Sequence, residues 1–203
     1  MGAAGNSRGS RGRMKPQMNG CNGAGIRVNS FALVSYLPEP LAGFLDRLRS
    51  DLVRECHAKA HVTVLPPRPI LGPVEEAWQQ FRVGLQDFQP FRVELGEIEI
   101  FPVTQVIYLS IQQGYGELER MHYALNSGHL RFEEPFDYHP HITVAHEIEP
   151  DSVAAAAETA ARRWREFPHG RSFTVDQLTF VQNTLENRWT DLSGFALSSH
   201  VRT

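Results

Sequence analysis

The chain has 203 residues, of which 41% are hydrophobic and 21% are charged, and its formal net charge is −3. This length suits one domain with a full core, or one domain built of two similar lobes. The charge is uneven, because residues 1–38 hold five basic side chains and no acidic one, which leaves residues 39–203 with a net charge of −8. The negative charge of residues 39–203 argues against tight, sequence-independent binding of long nucleic acids. A small or terminal phosphate substrate remains compatible, since a local pocket can be positive.

The amino-terminal region differs in composition from the rest of the chain. Residues 1–29 are rich in Gly, Asn and Arg, which predicts a disordered basic tail ahead of a domain over residues 30–203, with a transit peptide as the alternative. No apolar run approaches the ~18 residues of a membrane helix, and no signal peptide is evident. Cys21 and Cys56 give neither a metal-ligand spacing nor a disulfide framework. We expect a reduced, cytoplasmic, monomeric protein with no membrane association and no obligate protein partner.

Hydrophobic periodicity predicts strands and helices in alternation along the domain. The predicted strands cover residues 31–37, 61–65, 93–100, 106–111, 140–145, 173–182 and 189–198. The predicted helices cover residues 40–56, 73–85, 118–125 and 150–165. The alternation of the third strand changes phase at Gly96, which predicts a β-bulge there, and a turn is expected over residues 101–105. The last two strands are predicted to form a hairpin around residues 183–187.

Two short segments of the chain repeat one another. They are His61-Val62-Thr63-Val64 and His141-Ile142-Thr143-Val144, and the other seven histidines lack this pattern. Residues two apart share one face of a strand, so each segment presents an imidazole and a hydroxyl on one side and packs two aliphatic side chains on the other. The alternative is that each His merely hydrogen-bonds the nearby Thr. Two such strands side by side would bring two imidazoles and two hydroxyls into one cleft.

The order strand, helix, motif strand, helix and strand pair occurs roughly twice along the chain. This repetition predicts an α+β fold with two pseudo-symmetric lobes. Each lobe would be an antiparallel sheet with helices on the outside, and each would give one motif strand to a central cleft.

The doubled motif supplies the groups that phosphodiester cleavage requires. Imidazole titrates near pH 6.5, so one of His61 and His141 can take a proton from water while the other gives one to the leaving oxygen. The hydroxyls of Thr63 and Thr143 would donate hydrogen bonds to the non-bridging oxygens, where negative charge accumulates. Such a site needs neither a metal ion nor a cofactor, and no carboxylate cluster has the spacing of a metal site.

Further candidate residues flank the motifs. Arg68 follows the first motif and is a candidate for phosphate contact, with surface solvation as the alternative. Tyr138 precedes the second motif and is a candidate for stacking on a base, with core packing at the lobe junction as the favoured alternative. His139, His141 and His146 raise the question of metal binding, but the lack of further ligands argues against it.

The doubled motif resembles the signature of the 2H phosphoesterase superfamily, in particular its 2′-5′ RNA ligase-like, or cyclic phosphodiesterase, branch. The likeness extends to residues 60–68, 101–109 and 136–143, and it covers roughly residues 30–198. It implies hydrolysis of 2′,3′-cyclic phosphate ends of RNA or nucleotides, with reversible 2′-5′ ligation as the same chemistry run backward. It also implies that His61 donates the proton and His141 accepts one, roles that the residues alone do not assign.

Two other classes of function compete with this interpretation. One is a non-catalytic module that binds nucleotides or RNA ends in the same cleft. The other is a protein in which both motifs are purely structural. Intact His and Thr residues in both motifs argue against the first, because a site without turnover has no need for all four.

Overall fold

The computed structural model of the protein describes residues 25–53 and 59–198, and it contains eight strands and four α-helices in this part of the chain. The strands are β1 (Arg27–Tyr36), β2 (His61–Arg68), β3 (Phe91–Ile100), β4 (Ile107–Gln113), β5 (Ile142–Ala145), β6 (Ser172–Val175), β7 (Gln177–Thr184) and β8 (Trp189–Ala196). The helices are α1 (Leu41–Leu52), α2 (Val74–Gly84), α3 (Tyr115–Leu125) and α4 (Val153–Arg165). Short 3₁₀ turns cover Gly128–Leu130 and Pro150–Ser152.

The strands form two four-stranded sheets in which every pair is antiparallel. The order in the first sheet is β2-β1-β7-β8, and the order in the second is β5-β4-β3-β6. Buried residues of both sheets and of all four helices belong to one hydrophobic core. The predicted α+β fold with two pseudo-symmetric lobes is confirmed. Each motif strand is an edge strand, and β2 and β5 lie beside one another.

The predicted strand over residues 173–182 is wrong in one respect, because the chain changes sheets within it. β6 pairs with β3 in the second sheet, whereas β7 pairs with β1 and β8 in the first. The change falls at Asp176, where the buried phase of Phe173 and Val175 gives way to the buried phase of Leu178 and Phe180. This phase slip has the same form as the one at Gly96. The carboxyl-terminal hairpin therefore completes the amino-terminal lobe.

The bulge predicted at Gly96 is confirmed by a register shift between Leu95 and Ile98 in the pairing of β3 with β4. A Cβ atom at Gly96 would lie 2.5 Å from the Ser110 Oγ, so the bulge leaves no room for a side chain. The Gly96 carbonyl accepts a 2.8 Å hydrogen bond from the buried Trp164 Nε1 on α4. This bond joins the bulge to the helix that packs on β3.

Some element ends differ from the predictions. Helix α1 ends at Leu52, short of the predicted end, and Cys56 lies outside the described residues. The boundary predicted between residues 29 and 30 falls inside β1, so residues 27–29 are not a tail. Their pairing was missed because it uses polar and main-chain groups: Arg27 lies opposite Thr184, and the Asn29 side chain bonds both the N–H and the carbonyl of Ile70, at 3.0 and 3.4 Å. The rest of the tail predicted over residues 1–29, namely residues 1–24 with Cys21, lies outside the described residues.

Within the described ranges, no helix combines the length and the apolar character that crossing a membrane would require.

Two truncations test the corrected boundary. Deleting residues 1–24 should leave the melting temperature unchanged, because these residues lack the apolar content to join a core. Deleting residues 1–29 should lower it by about 5 °C or more, because β1 is shortened and the two Asn29 hydrogen bonds are lost. Differential scanning calorimetry of both truncations measures the difference. Equal melting temperatures would place residues 25–29 outside the stable fold.

Candidate active site

The two motifs reach the cleft from corresponding positions in the two sheets. His61 and Thr63 lie in β2, and Thr143 lies in β5. His141 stands immediately before β5, so this strand is shorter at its start than predicted. Val62, Val64, Ile142 and Val144 are all fully buried. The predicted packing of both aliphatic pairs into the core is therefore confirmed.

Both motif strands carry a β-bulge at the same place. In the first sheet Val34 pairs with Thr63 and Leu33 pairs with Leu65, which leaves Val64 as the extra residue. In the second sheet Tyr108 pairs with Thr143 and Ile107 pairs with Ala145, which leaves Val144 as the extra residue. A bulge bends its strand and changes the direction of nearby side chains. The pseudo-symmetry therefore extends to the backbone directly after each Thr.

A hydrogen bond of the same type fixes each motif histidine. The Nδ1 of His61 lies 2.7 Å from the Lys59 carbonyl oxygen, and the Nδ1 of His141 lies 2.7 Å from the His139 carbonyl oxygen. A carbonyl only accepts, so Nδ1 must carry the proton in both rings. In the neutral form, Nε2 then bears the lone pair and can take up a proton, which the charged form can release again. Both imidazoles are thus held in the tautomer that acid-base catalysis through Nε2 requires.

The surroundings disfavour the charged form of both imidazoles. Burial is the main cause that lowers the pKa of His61 to about 4, and the charges of Arg49 and His141 lower it further. Burial also lowers the pKa of His141, and His139 adds to this effect. The hydrogen bonds to the Lys59 and His139 carbonyls oppose these shifts only in part. Because the charge of His141 lowers the pKa of His61, the two imidazoles lie within electrostatic reach of each other.

The two imidazoles have different neighbours. The ring of His61 meets the edge of Tyr36, with 6.4 Å between the centroids. The buried Arg49 donates a 3.3 Å hydrogen bond to the Lys59 carbonyl, which also accepts from His61. Sequence reasoning missed Arg49, because nothing in its helical surroundings distinguishes it from a surface cation.

On the other side of the cleft, His141 lies against two stacked aromatic rings. The rings of Phe101 and Tyr108 are 4.0 Å apart and nearly parallel, and both contact His141 at steep angles with centroid distances of 5.0 and 5.5 Å. The Tyr108 hydroxyl donates a 2.9 Å hydrogen bond to Glu99. His141 thus lies against an aromatic stack, in contrast to the cation beside His61.

A cavity of about 560 Å³ opens beside the motifs. Thr63, His141 and Thr143 line it, and His61 is not among its lining residues. Much of the remaining wall is apolar and comes from two loops, with side chains that include those of Phe101, Pro102, Val103, Phe132, Pro135 and Phe136. Within the described ranges, neither Thr hydroxyl has a hydrogen-bond partner in the protein. Both are therefore free to donate to a bound ligand.

Arg68 is buried among partners within the protein. This environment differs from both predictions, which were phosphate contact and surface solvation. Its side chain is only 1% exposed, so it is not a solvated surface residue. Its guanidinium forms an ion pair with Glu134 and donates to Asn126 Oδ1 at 2.8 Å, to the Leu130 carbonyl at 3.2 Å and to the Pro66 carbonyl at 2.9 Å. These partners occupy the groups that would otherwise face a phosphate.

Tyr138 packs at the junction of the two lobes, as the favoured alternative predicted. It is 8% exposed, and its hydroxyl donates a 2.7 Å hydrogen bond to the Thr63 carbonyl. Its ring stacks on the ring of His122 in α3. His139 and His146 also line the cavity, and no group of three or more His, Cys, Asp or Glu residues in the described part of the chain has the geometry of a metal site.

Comparison with solved structures identifies the same fold in other proteins. A crystal structure of Escherichia coli LigT in complex with 3′-AMP matches 87% of this chain and 100% of its own chain, with a TM-score of 0.57 and 16% sequence identity. A crystal structure described as a phosphoesterase matches with the same coverage, a TM-score of 0.58 and 18% identity. Because the sequence identities are this low, these matches show a shared fold and nothing more.

Sequence comparison gives a match to one curated protein over 82 residues and a match to a family model over residues 37–187. A protein of Oceanobacillus iheyensis named "Putative phosphoesterase" is 27% identical over 82 residues, which are 40% of this chain and 48% of that protein. The matched region thus spans about half the length of this relative. The family model of the 2′-5′ RNA ligase superfamily matches residues 37–187, which include both motifs and the elements around the cleft. The chain therefore belongs to the 2′-5′ RNA ligase superfamily, the group of 2H phosphoesterases that its doubled motif resembles.

Proposed function

We propose that this protein hydrolyses 2′,3′-cyclic phosphate ends of RNA or of nucleotides, without a metal ion, and that the same site can run reversible 2′-5′ ligation. Water attacks phosphorus as one bond from phosphorus to a ribose oxygen breaks. One motif imidazole takes the proton of the water, and the other gives a proton to the departing ribose oxygen. Thr63 and Thr143 donate hydrogen bonds to the two non-bridging oxygens.

The observation that carries the proposal is that both imidazoles are held in the same tautomer. Both His61 and His141 are held through Nδ1–H, so that Nε2 of each remains for proton transfer. Each is followed two residues later by a Thr hydroxyl that faces the cavity and has no partner among the described residues. An acid, a base and two hydroxyl donors around one cleft are the set that in-line cleavage of a phosphodiester uses.

The shape of the cavity supports a nucleoside as part of the substrate. Its volume of about 560 Å³ lies within the range of small-molecule sites, and its wall is mostly apolar. Phe136 is 57% exposed at the cavity, which leaves its ring available for contact with a base. The related fold of LigT holds 3′-AMP, a nucleotide with a phosphate on its ribose. Contact through ring faces is tolerant of base identity, so we propose a weak base preference.

Replacing either motif histidine tests the acid-base proposal. His61→Ala and His141→Ala should each lower kcat on the order of 10²-fold or more for a 2′,3′-cyclic nucleotide, assayed with a chelator present. Both variants should still bind a 3′-nucleotide, because the two Thr hydroxyls are intact. His169→Ala is a matched control, since His169 is exposed and contacts only Phe167 among the described ring contacts. Near-normal turnover in either motif variant would remove that residue from the mechanism.

Replacing the motif threonines tests the proposed oxyanion donors. Thr→Val keeps the β-branched shape and deletes the donor. Thr63→Val and Thr143→Val should each reduce kcat/KM by roughly 1–4 kcal/mol in transition-state stabilisation and should weaken nucleotide binding in calorimetry. Thr174→Val, on the exposed face of β6, controls for the substitution itself. Normal binding and turnover in both motif variants would move the oxyanion donors elsewhere.

The lowered pKa values predict an acidic optimum for the free enzyme. His61, with its pKa at about 4, and His141, with its pKa below the ordinary value, are mainly neutral at pH 7, whereas catalysis needs one charged imidazole. kcat/KM should therefore rise as the pH falls from 8 and should peak below about pH 6.5. kcat should peak at a higher pH, because a bound phosphate stabilises the imidazolium. A kcat/KM that stays constant above pH 8 would show that no imidazolium is needed.

A further inference from the structure

The carbonyl groups of the first motif have unusual hydrogen-bond partners. β2 is an edge strand, and its bulge at Val64 interrupts the regular pairing with β1. The Thr63 carbonyl accepts from the Tyr138 hydroxyl at 2.7 Å, and the neighbouring Val64 carbonyl accepts from the His122 Nδ1 at 2.9 Å. Side chains thus replace the partner strand that this edge lacks.

Both donors come from the other half of the molecule. His122 lies on α3, which follows β4, and Tyr138 lies three residues before His141. Their rings are parallel within 1° and their centroids are 3.9 Å apart. His122 is 2% exposed and Tyr138 is 8% exposed, so the pair is one buried unit. Because a carbonyl only accepts, the Nδ1 of His122 carries the proton that binds the Val64 carbonyl.

The buried ion pair of Glu134 with Arg68 lies next to the ring of His122. Glu134 lies 3.6 Å from the Nε2 of His122 through Oε1, the same oxygen that pairs with Arg68. Arg68 ends β2, and its Nε donates to the Pro66 carbonyl at 2.9 Å. The Pro66 carbonyl is thus the third main-chain oxygen of β2 that accepts a hydrogen bond from a side chain.

We propose that Tyr138, whose ring stacks on His122, is a positioning residue that sets the separation of the two motifs. Its hydroxyl holds the Thr63 carbonyl in the first motif, and its backbone is three residues from His141 in the second. One side chain therefore joins the two halves of the site. This inference rests on the proposed function, in which acid and base must lie on opposite sides of one phosphorus. A displacement of about 1 Å in such a site can cost on the order of 10²-fold in rate.

Tyr138→Phe isolates the hydroxyl, because the substitution keeps the ring and its stacking on His122. The expected result is a fall in kcat of about 10-fold or more, with KM within about threefold, because the ground state adapts to a shifted motif more easily than the transition state. If Tyr138 instead acted by stacking on a base, Phe would serve equally well and kcat would not change. A kcat within twofold of the wild type would therefore overturn the proposal.

Tyr123→Phe is the matched control. Tyr123 neighbours His122 on α3 and contacts its ring edge at 5.1 Å, but it is 58% exposed and its hydroxyl has no hydrogen-bond partner among the described residues. This variant should keep wild-type kcat and KM. A fall in kcat equal to that of Tyr138→Phe would assign the effect to general disturbance of α3 and would overturn the proposal.

A measurement without turnover separates this proposal from the proposed function. The imidazole signals of His61, followed by NMR in the ligand-free protein, should shift in Tyr138→Phe and should not shift in Tyr123→Phe. Unchanged His61 signals in Tyr138→Phe would overturn the positioning role. If the wild-type protein hydrolysed no cyclic phosphate at all, the proposed function would fail, and the His61 signals would still decide whether Tyr138 positions the first motif.

Discussion

The chemistry available to this cleft depends on one hydrogen bond that occurs twice, from the Nδ1–H of each motif histidine to the carbonyl two residues earlier. It fixes the tautomer and the plane of both rings by main-chain geometry, so neither His61 nor His141 needs a carboxylate partner to orient it. Symmetry of the backbone alone would give two equivalent imidazoles. The surroundings make them different, because His61 lies near the cation Arg49 whereas His141 lies against the stacked rings of Phe101 and Tyr108. Different environments for two like groups are how a site obtains an acid and a base.

The distribution of charge around the cleft bears on the kind of anion that it accommodates. Among the described residues that line the cavity there is no Lys or Arg, and the charge of Arg68 is matched by Glu134. The described wall of the cavity therefore offers a phosphate no Lys or Arg charge. A phosphodiester carries one negative charge, and the product monoester carries nearly two at neutral pH. In the proposed hydrolysis, a cleft without a fixed cation in its wall would suit the diester better than the product, and this difference would favour product release.

Several features of the fold could be predicted because they depend on short-range alternation. The period of two in each motif indicated both its strand and its buried face, and the phase change at Gly96 indicated a bulge. The sheet change at Asp176 carries the same kind of signal, but the alternation resumes so quickly that one continuous strand fits the pattern nearly as well. Residues 27–29 were misassigned because they join β1 through main-chain and amide groups, to which hydrophobicity is insensitive.

The environments of Arg68 and Tyr138 depend on partners that only the fold brings near. Arg68 and Glu134 are 66 residues apart, and Tyr138 and Thr63 are 75 apart. Local composition around Arg68 suggests a loop cation after two prolines, which is why both of its predicted surroundings were wrong. Only the doubling of the motif conveyed long-range information, since two identical faces imply that they meet. The residues that hold the motifs in place carry no comparable repeat.

The two motif strands could in principle satisfy each other's free edges. β2 and β5 are neighbouring edge strands, and continuous pairing between them would join the two sheets and fill the cleft with a ladder of hydrogen bonds. The matched bulges at Val64 and Val144 oppose this, because a bulge disrupts the regular spacing of donors and acceptors. On β2, the carbonyls of Thr63 and Val64 are in addition already occupied by side chains. The bulges and these side-chain hydrogen bonds thus oppose pairing between the two edge strands, which is consistent with an open cleft between the sheets.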